Sequence, residues 1–136
     1  MITGMKIYSG DVPFNQLDRW IETVNKEFGL SAKNNECRQF FYTIRDYSYF
    51  AFANEGYAVM TVEADMWGNK GLVVKSSYLL PEYRTLANLN ELQRYIEQTA
   101  RQCGAKNIIQ GTHLGDRFLK YLTRQGYKTC EMRKEI

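Results

Sequence analysis

Residues Tyr78–Gly104, YLLPEYRTLANLNELQRYIEQTARQCG, read as an apolar strand that stops at Pro81, a short turn that carries Arg84, and an amphipathic helix that ends at Gly104. Leu89, Leu92, Ile96, Ala100 and Cys103 recur at helical spacing and make the inward stripe of that helix. Asn88 and Glu91 form an N-x-x-E start signal related to the capping box, which sets the expected helix start at Asn88. A strand that feeds a turn and then a helix is an anion site in outline. The first-turn N–H groups lack intrahelical partners, and the helix dipole is positive at that end. No glycine lies between Arg84 and Asn90, so the turn is not the glycine-rich cradle that lets backbone close on a phosphate.

Outward from this stretch the period changes. Tyr47–Ala53, Gly56–Ala64 and Gly71–Leu80 are rich in aromatic and β-branched residues. They are separated by the turn sequences Asn54-Glu55-Gly56 and Trp67-Gly68-Asn69-Lys70-Gly71, which predicts a three-strand antiparallel meander. Ahead of it, Met5–Tyr8 is a short strand. Asp11 is the expected cap of a first helix with Pro13 in its opening turn, Phe14, Leu17, Ile21, Val24 and Phe28 on its apolar face, and Gly29 as its stop. Ser31 is the expected cap of a second helix whose apolar face is Cys37, Phe40, Phe41 and Ile44. After Gly104, Asn107–Gly111 is a short buried strand. Asp116–Gln125 is a fourth helix with Phe118, Tyr121 and Leu122 inward and Gly126 as its stop, and Tyr127–Arg133 is a closing strand. The order β-α-α-β-β-β-α-β-α-β predicts one α/β (α+β) domain over residues 1–136. A mixed central sheet of about six strands and four helices is expected.

The chain has 136 residues, 44% hydrophobic and 24% charged, with a net charge of +3. That size suits one core. The charge is too mild to suggest nucleic acid as a partner but leaves anionic ligands open. The three cysteines, Cys37, Cys103 and Cys130, are widely spaced, and His113 is the only histidine. A Cys/His metal site is not expected, and free buried thiols in a reducing compartment are. No apolar run resembles a signal peptide or approaches the ~20 residues of a membrane span, so a cytoplasmic, membrane-free protein is expected.

The element order, with PEYR at the exit of the fourth strand, resembles the GCN5-related N-acetyltransferase (GNAT) superfamily. The resemblance covers nearly the whole chain and is strongest from Tyr78 to Tyr127, where YLLPEYR, the capped helix, RQCGAKNI and RFLKYLTRQGY follow in family order. It implies acyl transfer from acetyl-CoA, as co-substrate, to a small-molecule or protein amine. The family's ligand loop, [QR]-x-x-G-x-[GA], falls on Arg84-Thr85-Leu86-Ala87-Asn88-Leu89, with Ala87 and Leu89 where glycines stand. The implied coenzyme A contacts are Arg84, Thr85, Leu86, Ala87, Asn88, Leu89 and Asn90. Backbone near Leu79 and Leu80 joins them on a bulged fourth strand. The family's tyrosine acid falls on Leu122; Tyr121, ~100° around the helix, is the candidate in its place, and a core tyrosine with a satisfied hydroxyl is its other reading. The similarity of RFLK to small phage-encoded members implies a phage or mobile-element source. Loss of the glycines and of the tyrosine implies an alternative, a GNAT-shaped binding or structural protein without catalysis.

A general base would come from the meander. Glu63 is the candidate, with Asp65, Ser76 and Ser77 nearby, and a solvated edge charge is the competing reading for each acid. His113, between the fifth strand and the fourth helix, is read as structural. The aromatic cluster Phe40, Phe41, Tyr42, Tyr47, Tyr49, Phe50 and Phe52 is read as core between the second helix and the sheet rather than as a base-stacking surface. Met66-Trp67 at a hairpin tip has no core reason to be there, which suggests a binding lip or a homodimer contact.

Overall fold

The computed structural model describes residues 1–110, 116–128, 134 and 136. Its elements are β1 (Lys6–Ser9), α1 (Phe14–Phe28), α2 (Asn34–Thr43), β2 (Ser48–Phe52), β3 (Gly56–Ala64), β4 (Lys70–Leu79), α3 (Leu86–Gln102), β5 (Asn107–Gln110) and α4 (Asp116–Arg124). The strands lie in one sheet in the order β1-β2-β3-β4-β5. The first three pairings are antiparallel, and β5 joins β4 in parallel through the α3 crossover. The sheet of the described residues thus has five strands rather than six. The expected closing strand, Tyr127–Arg133, falls mostly on residues outside those described, as do His113 and Cys130.

Strand alternation sends side chains to two cores. Phe50, Phe52, Tyr57, Val59 and Tyr78 face α1 and α2, where they meet Leu17, Trp20, Ile21 and Ile44. Ala51, Ala58, Met60, Leu72, Val74 and Leu79 face the other way, against Leu92, Ile96 and Ala100 of α3. β4 changes parity between these sets. Val59 pairs with Ser76 and Met60 with Val74, so Lys75 is an extra residue on β4, a bulge. Before it, even-numbered residues Leu72 and Val74 face α3; after it, even-numbered Tyr78 faces α1 and odd-numbered Leu79 faces α3.

Three helix starts differ from expectation: α1 and α2 have no side-chain cap, and α3 has another one. α1 begins after Pro13 with no side-chain cap, because the Asp11 carboxylate accepts instead from the neighbouring Val12 N–H at 2.9 Å. α2 begins at Asn34 behind Lys33, leaving Ser31 outside it. α3 begins at Leu86, not Asn88. Thr85 is its cap, accepting from the Asn88 N–H at 3.2 Å. On α2, Phe41 packs edge-on to Phe50, but Phe40 is 51% exposed and lies off the apolar face. Tyr42 and Tyr47 are likewise exposed, so only part of the aromatic cluster is core. Cys37 and Cys103 are free and half-buried rather than fully buried.

Two ties hold the α1 layer. The Asp18 carboxylate accepts from Arg38 of α2 through Nε at 2.8 Å and through Nη2. Gly29 ends α1 in the left-handed conformation, φ 63°, and donates to the Asn25 carbonyl.

Two substitutions test this architecture. A Cβ on Gly56 would lie 2.1 Å from the Tyr78 carbonyl oxygen. Gly56→Ala is therefore expected to destabilise by at least about 2 kcal/mol in chemical denaturation, because backbone rather than a mobile side chain must yield. The hydrogen bond from Arg38 holds the Asp18 carboxyl below its ordinary 3.8. A depressed carboxyl contributes its stability above the unfolded value and loses it as pH falls through the folded one. Asp18→Asn is expected to lower Tm modestly at pH 7, with the difference vanishing as the pH falls well below 3.8.

Candidate functional site

β4 and β5 pair only from Gly71–Asn107 to Val74–Gln110. β4 then runs on through Lys75–Leu79 with no strand beside it on that edge among the described residues. Beyond Val74–Gln110, the last pair among the described residues, a cleft of about 970 Å³ lies against the bulged part of β4. It reaches both faces of the sheet. Val24, Phe28, Tyr57, Ser76 and Tyr78 line it on the α1 side, and Leu92, Gln93, Ile96, Gln110, Phe118 and Tyr121 line it on the α3 and α4 side.

The mouth is built from the exit of β4 and the first turn of α3. A single 3-10 turn, Pro81–Tyr83, carries the chain from the strand to the helix. Arg84, Leu86 and Leu89 line the cleft there. Asn88 N–H is held by the Thr85 hydroxyl and Leu89 N–H by the Thr85 carbonyl at 2.9 Å. The N–H groups of Leu86 and Ala87 have no partner among the described residues, so they are the donors open to an anion. Asn88 is buried under the turn. It donates from Nδ2 to the Tyr83 carbonyl at 2.9 Å, and its Oδ1 has no partner among the described residues.

Arg84 is held by three acceptor atoms. Its Nε donates to the Leu79 carbonyl at 2.8 Å, and its Nη2 lies 2.8 and 2.7 Å from the two carboxylate oxygens of Glu27. The guanidinium sits 5.2 Å over the Tyr78 ring, whose hydroxyl donates to Glu27 at 2.9 Å. Burial raises the Glu27 carboxyl, but the hydrogen bonds from Arg84 and Tyr78 outweigh it and leave the group below its ordinary value. Burial and the Glu27 charge together push the Tyr78 hydroxyl up to about 12.

Further in, the Tyr121 hydroxyl donates to Asn90 Oδ1 at 2.8 Å, and burial first, then Tyr127 and Glu97, raise its pKa. At the apex, Gln110, the last ladder residue of β5, donates to Gln93 Oε1 at 2.9 Å and to the Tyr127 hydroxyl at 2.8 Å; Gln93 donates to the same hydroxyl. Along the α4 side, Arg117, Lys120 and Arg124 project at i, i+3 and i+7 spacing and line the cleft. No carboxylate lies within salt-bridge distance of them among the described residues. The lining is therefore apolar in its middle and cationic at its rim.

The structure brings most of the residues expected from sequence to one place. Leu79, Arg84, Leu86, Leu89 and Tyr121 line the cleft, Asn90 stands behind Tyr121, and Thr85, Ala87 and Asn88 form the first turn of α3. The Leu80 N–H is already engaged, with the Glu55 carbonyl at 2.8 Å. Glu63 does not line the cleft. It lies near the end of β3, where its carboxylate accepts from Thr61 at 2.7 Å and meets Lys75 at 3.0 Å, and those contacts hold it below its ordinary value. Asp65 spans its own hairpin turn, accepting from the N–H groups of Trp67 and Asn69 at 2.9 Å each. Met66 and Trp67 stand on that turn 86% and 78% exposed. Residues that sequence reasoning missed are Glu27, Gln93, Gln110 and the α4 cations. Only the cations left a readable signal, their i, i+3, i+7 spacing.

No family model matches the chain, and no curated protein matches it. Solved structures match over its full length. An acetyltransferase of Trypanosoma brucei is 10% identical with a TM-score of 0.73, covering 98% of this chain and 99% of its own. A GNAT family acetyltransferase of Staphylococcus aureus is 14% identical with a TM-score of 0.71 and complete coverage of both chains. AAC(6')-Iy in complex with the bisubstrate analog CoA-S-monomethyl-acetylneamine is 13% identical with a TM-score of 0.66, covering 98% and 100%. The first two sources are cellular, which lends no support to the phage resemblance of RFLK. No described helix is long and apolar enough to cross a membrane. With a bulged β4, a parallel β5 beside it and a cleft reaching the first turn of α3, and with these matches, the chain has the GCN5-related N-acetyltransferase fold.

Proposed function

We propose that the protein is an N-acyltransferase that moves an acetyl group from acetyl-CoA to an amine, with the β4–β5 cleft as its site. The observation that carries this reading is the cleft against β4 beyond Val74, where no strand pairs with the Lys75–Leu79 edge among the described residues and an extended ligand would fit. In support, the rim chemistry suits the phosphates of coenzyme A: the unpaired N–H groups of Leu86 and Ala87, Arg84, and the α4 stripe. The apolar middle suits an alkyl-amide arm. Ala87 is exposed and costs little where the family has glycine. Leu89 packs partly into the α3 core. The amide-bearing side chains Gln93 and Gln110 suit the inner end.

In the transfer itself, the neutral amine nitrogen attacks the thioester carbonyl carbon, the C–N bond forms, the C–S bond breaks, the nitrogen loses one proton to solvent, and the thiolate takes one up. Tyr121 is the proton donor in this reading. A tyrosine hydroxyl is protonated at neutral pH, and its proton is replaced from solvent after the thiol leaves. Glu63 is not retained as the base, because Thr61 and Lys75 already hold its carboxylate away from the cleft. Positioning of an already deprotonated amine supplies that part of the rate. The second reading, a binding module without catalysis, is favoured by one observation: the position of the family's acid is Leu122, only 3% exposed.

Acetyl-CoA is expected to raise the melting temperature, by an amount equivalent to about 2.7 kcal/mol at a hundred times its dissociation constant; no shift at millimolar ligand would defeat the acyltransferase reading. Tyr121→Phe is expected to lower kcat by about 10²-fold or more while KM for acetyl-CoA stays unchanged. An unchanged kcat would remove Tyr121 from the chemistry, and acetyl-CoA binding with no turnover on any amine panel would select the binding module.

A further inference from the structure

Glu27 belongs to the last turn of α1, far in sequence from the β4–α3 turn, and no family motif marks it. We infer that Glu27 is a positioning residue for anion binding, fixing the Arg84 guanidinium at the mouth of the cleft with Nη1 as its remaining donor. The inference rests on the coenzyme A reading above. Of the five N–H donors of a guanidinium, Nε serves the Leu79 carbonyl and Nη2 serves both oxygens of Glu27. The two donors on Nη1 have no partner among the described residues, and Arg84 lines the cleft.

The carboxylate is itself fixed. Tyr78 donates to the same Oε1 that Nη2 meets, and the Tyr78 ring lies beneath the guanidinium. Tyr78 can do this because the Lys75 bulge turns it to the α1 face. Phe28, edge-on to the Tyr78 ring, completes the contact between the end of α1 and β4. A free arginine loses rotamer freedom when it grips an anion, at about 0.5–1.5 kcal/mol, so a pre-set one binds up to about tenfold better.

Glu27 also carries a negative charge, which opposes anion binding, and the sign of its effect decides between two roles. If it positions Arg84, removing it weakens binding. If it only neutralises Arg84, removing it strengthens binding. Coenzyme A titrated calorimetrically into the intact protein separates these. Glu27→Ala is expected to weaken binding by about tenfold, and Glu27→Gln, which keeps one acceptor oxygen, by less. In an Arg84→Ala background, Glu27→Ala is expected to change nothing further, since its action runs through Arg84. Equal or tighter binding by Glu27→Ala overturns the inference, as does an equal loss with and without Arg84, which would mark Glu27 as a packing residue. Should Glu27→Ala lose its cooperative melt, Glu27→Gln decides alone, and affinity at or above wild type overturns the inference. Absence of coenzyme A binding to the wild-type protein would instead defeat the cleft reading itself, and the inference with it.

Discussion

One extra residue in β4 sets the geometry on which the site depends. With Lys75 inserted opposite the Val59–Met60 step, the side chains of β4 beyond it exchange faces, and Ser76–Leu79 line the cleft. Without the bulge, strict alternation from Leu72 and Val74 would send Ser76 and Tyr78 toward α3. With it, Ser76 reaches the Tyr57 hydroxyl at 2.7 Å and Tyr78 reaches Glu27. The α1-side lining of the cleft and the fixing of Arg84 therefore have one cause.

The two ends of the cleft differ in what holds them. The mouth is electrostatic: helix N–H groups, a pre-set guanidinium and a row of α4 cations. The apex is a neutral hydrogen-bond network of Gln93, Gln110 and Tyr127, in which two amide donors converge on one hydroxyl. Neutral amides at an apex can be fully satisfied without an ion, which matters where β4 and β5 still exclude water. Tyr121 stands between the two: it is a buried tyrosine whose hydroxyl is satisfied by Asn90, and it borders the cleft.

The fold was legible because most elements carry strong local signals: the period-two meander, the α1 stripe ending at Gly29, and the α3 stripe ending at Gly104. The start of α3 was not. Thr85 and Asn88 are both good caps, three residues apart, and the apolar stripe begins only at Leu89 because Leu86 is 64% exposed. The misplacement matters, since Leu86, Ala87 and Asn88 are helix rather than the loop before it, and Thr85 takes the Asn88 and Leu89 N–H groups. The bulge left a faint mark, the run Val73-Val74-Lys75-Ser76-Ser77, which breaks alternation. Glu27 left little. It lies two turns after the buried Trp20, at the edge of the inward face of α1, and its partners lie 51 and 57 residues away.

The central claim is that the opening between β4 and β5 receives the thioester arm of coenzyme A. A crystal structure of the protein grown with coenzyme A tests it most directly. The account predicts density running from the Leu86 and Ala87 N–H groups along the Lys75–Leu79 edge toward Gln110. Coenzyme A bound elsewhere on the surface, with the opening between the strands empty at saturating ligand, would contradict it.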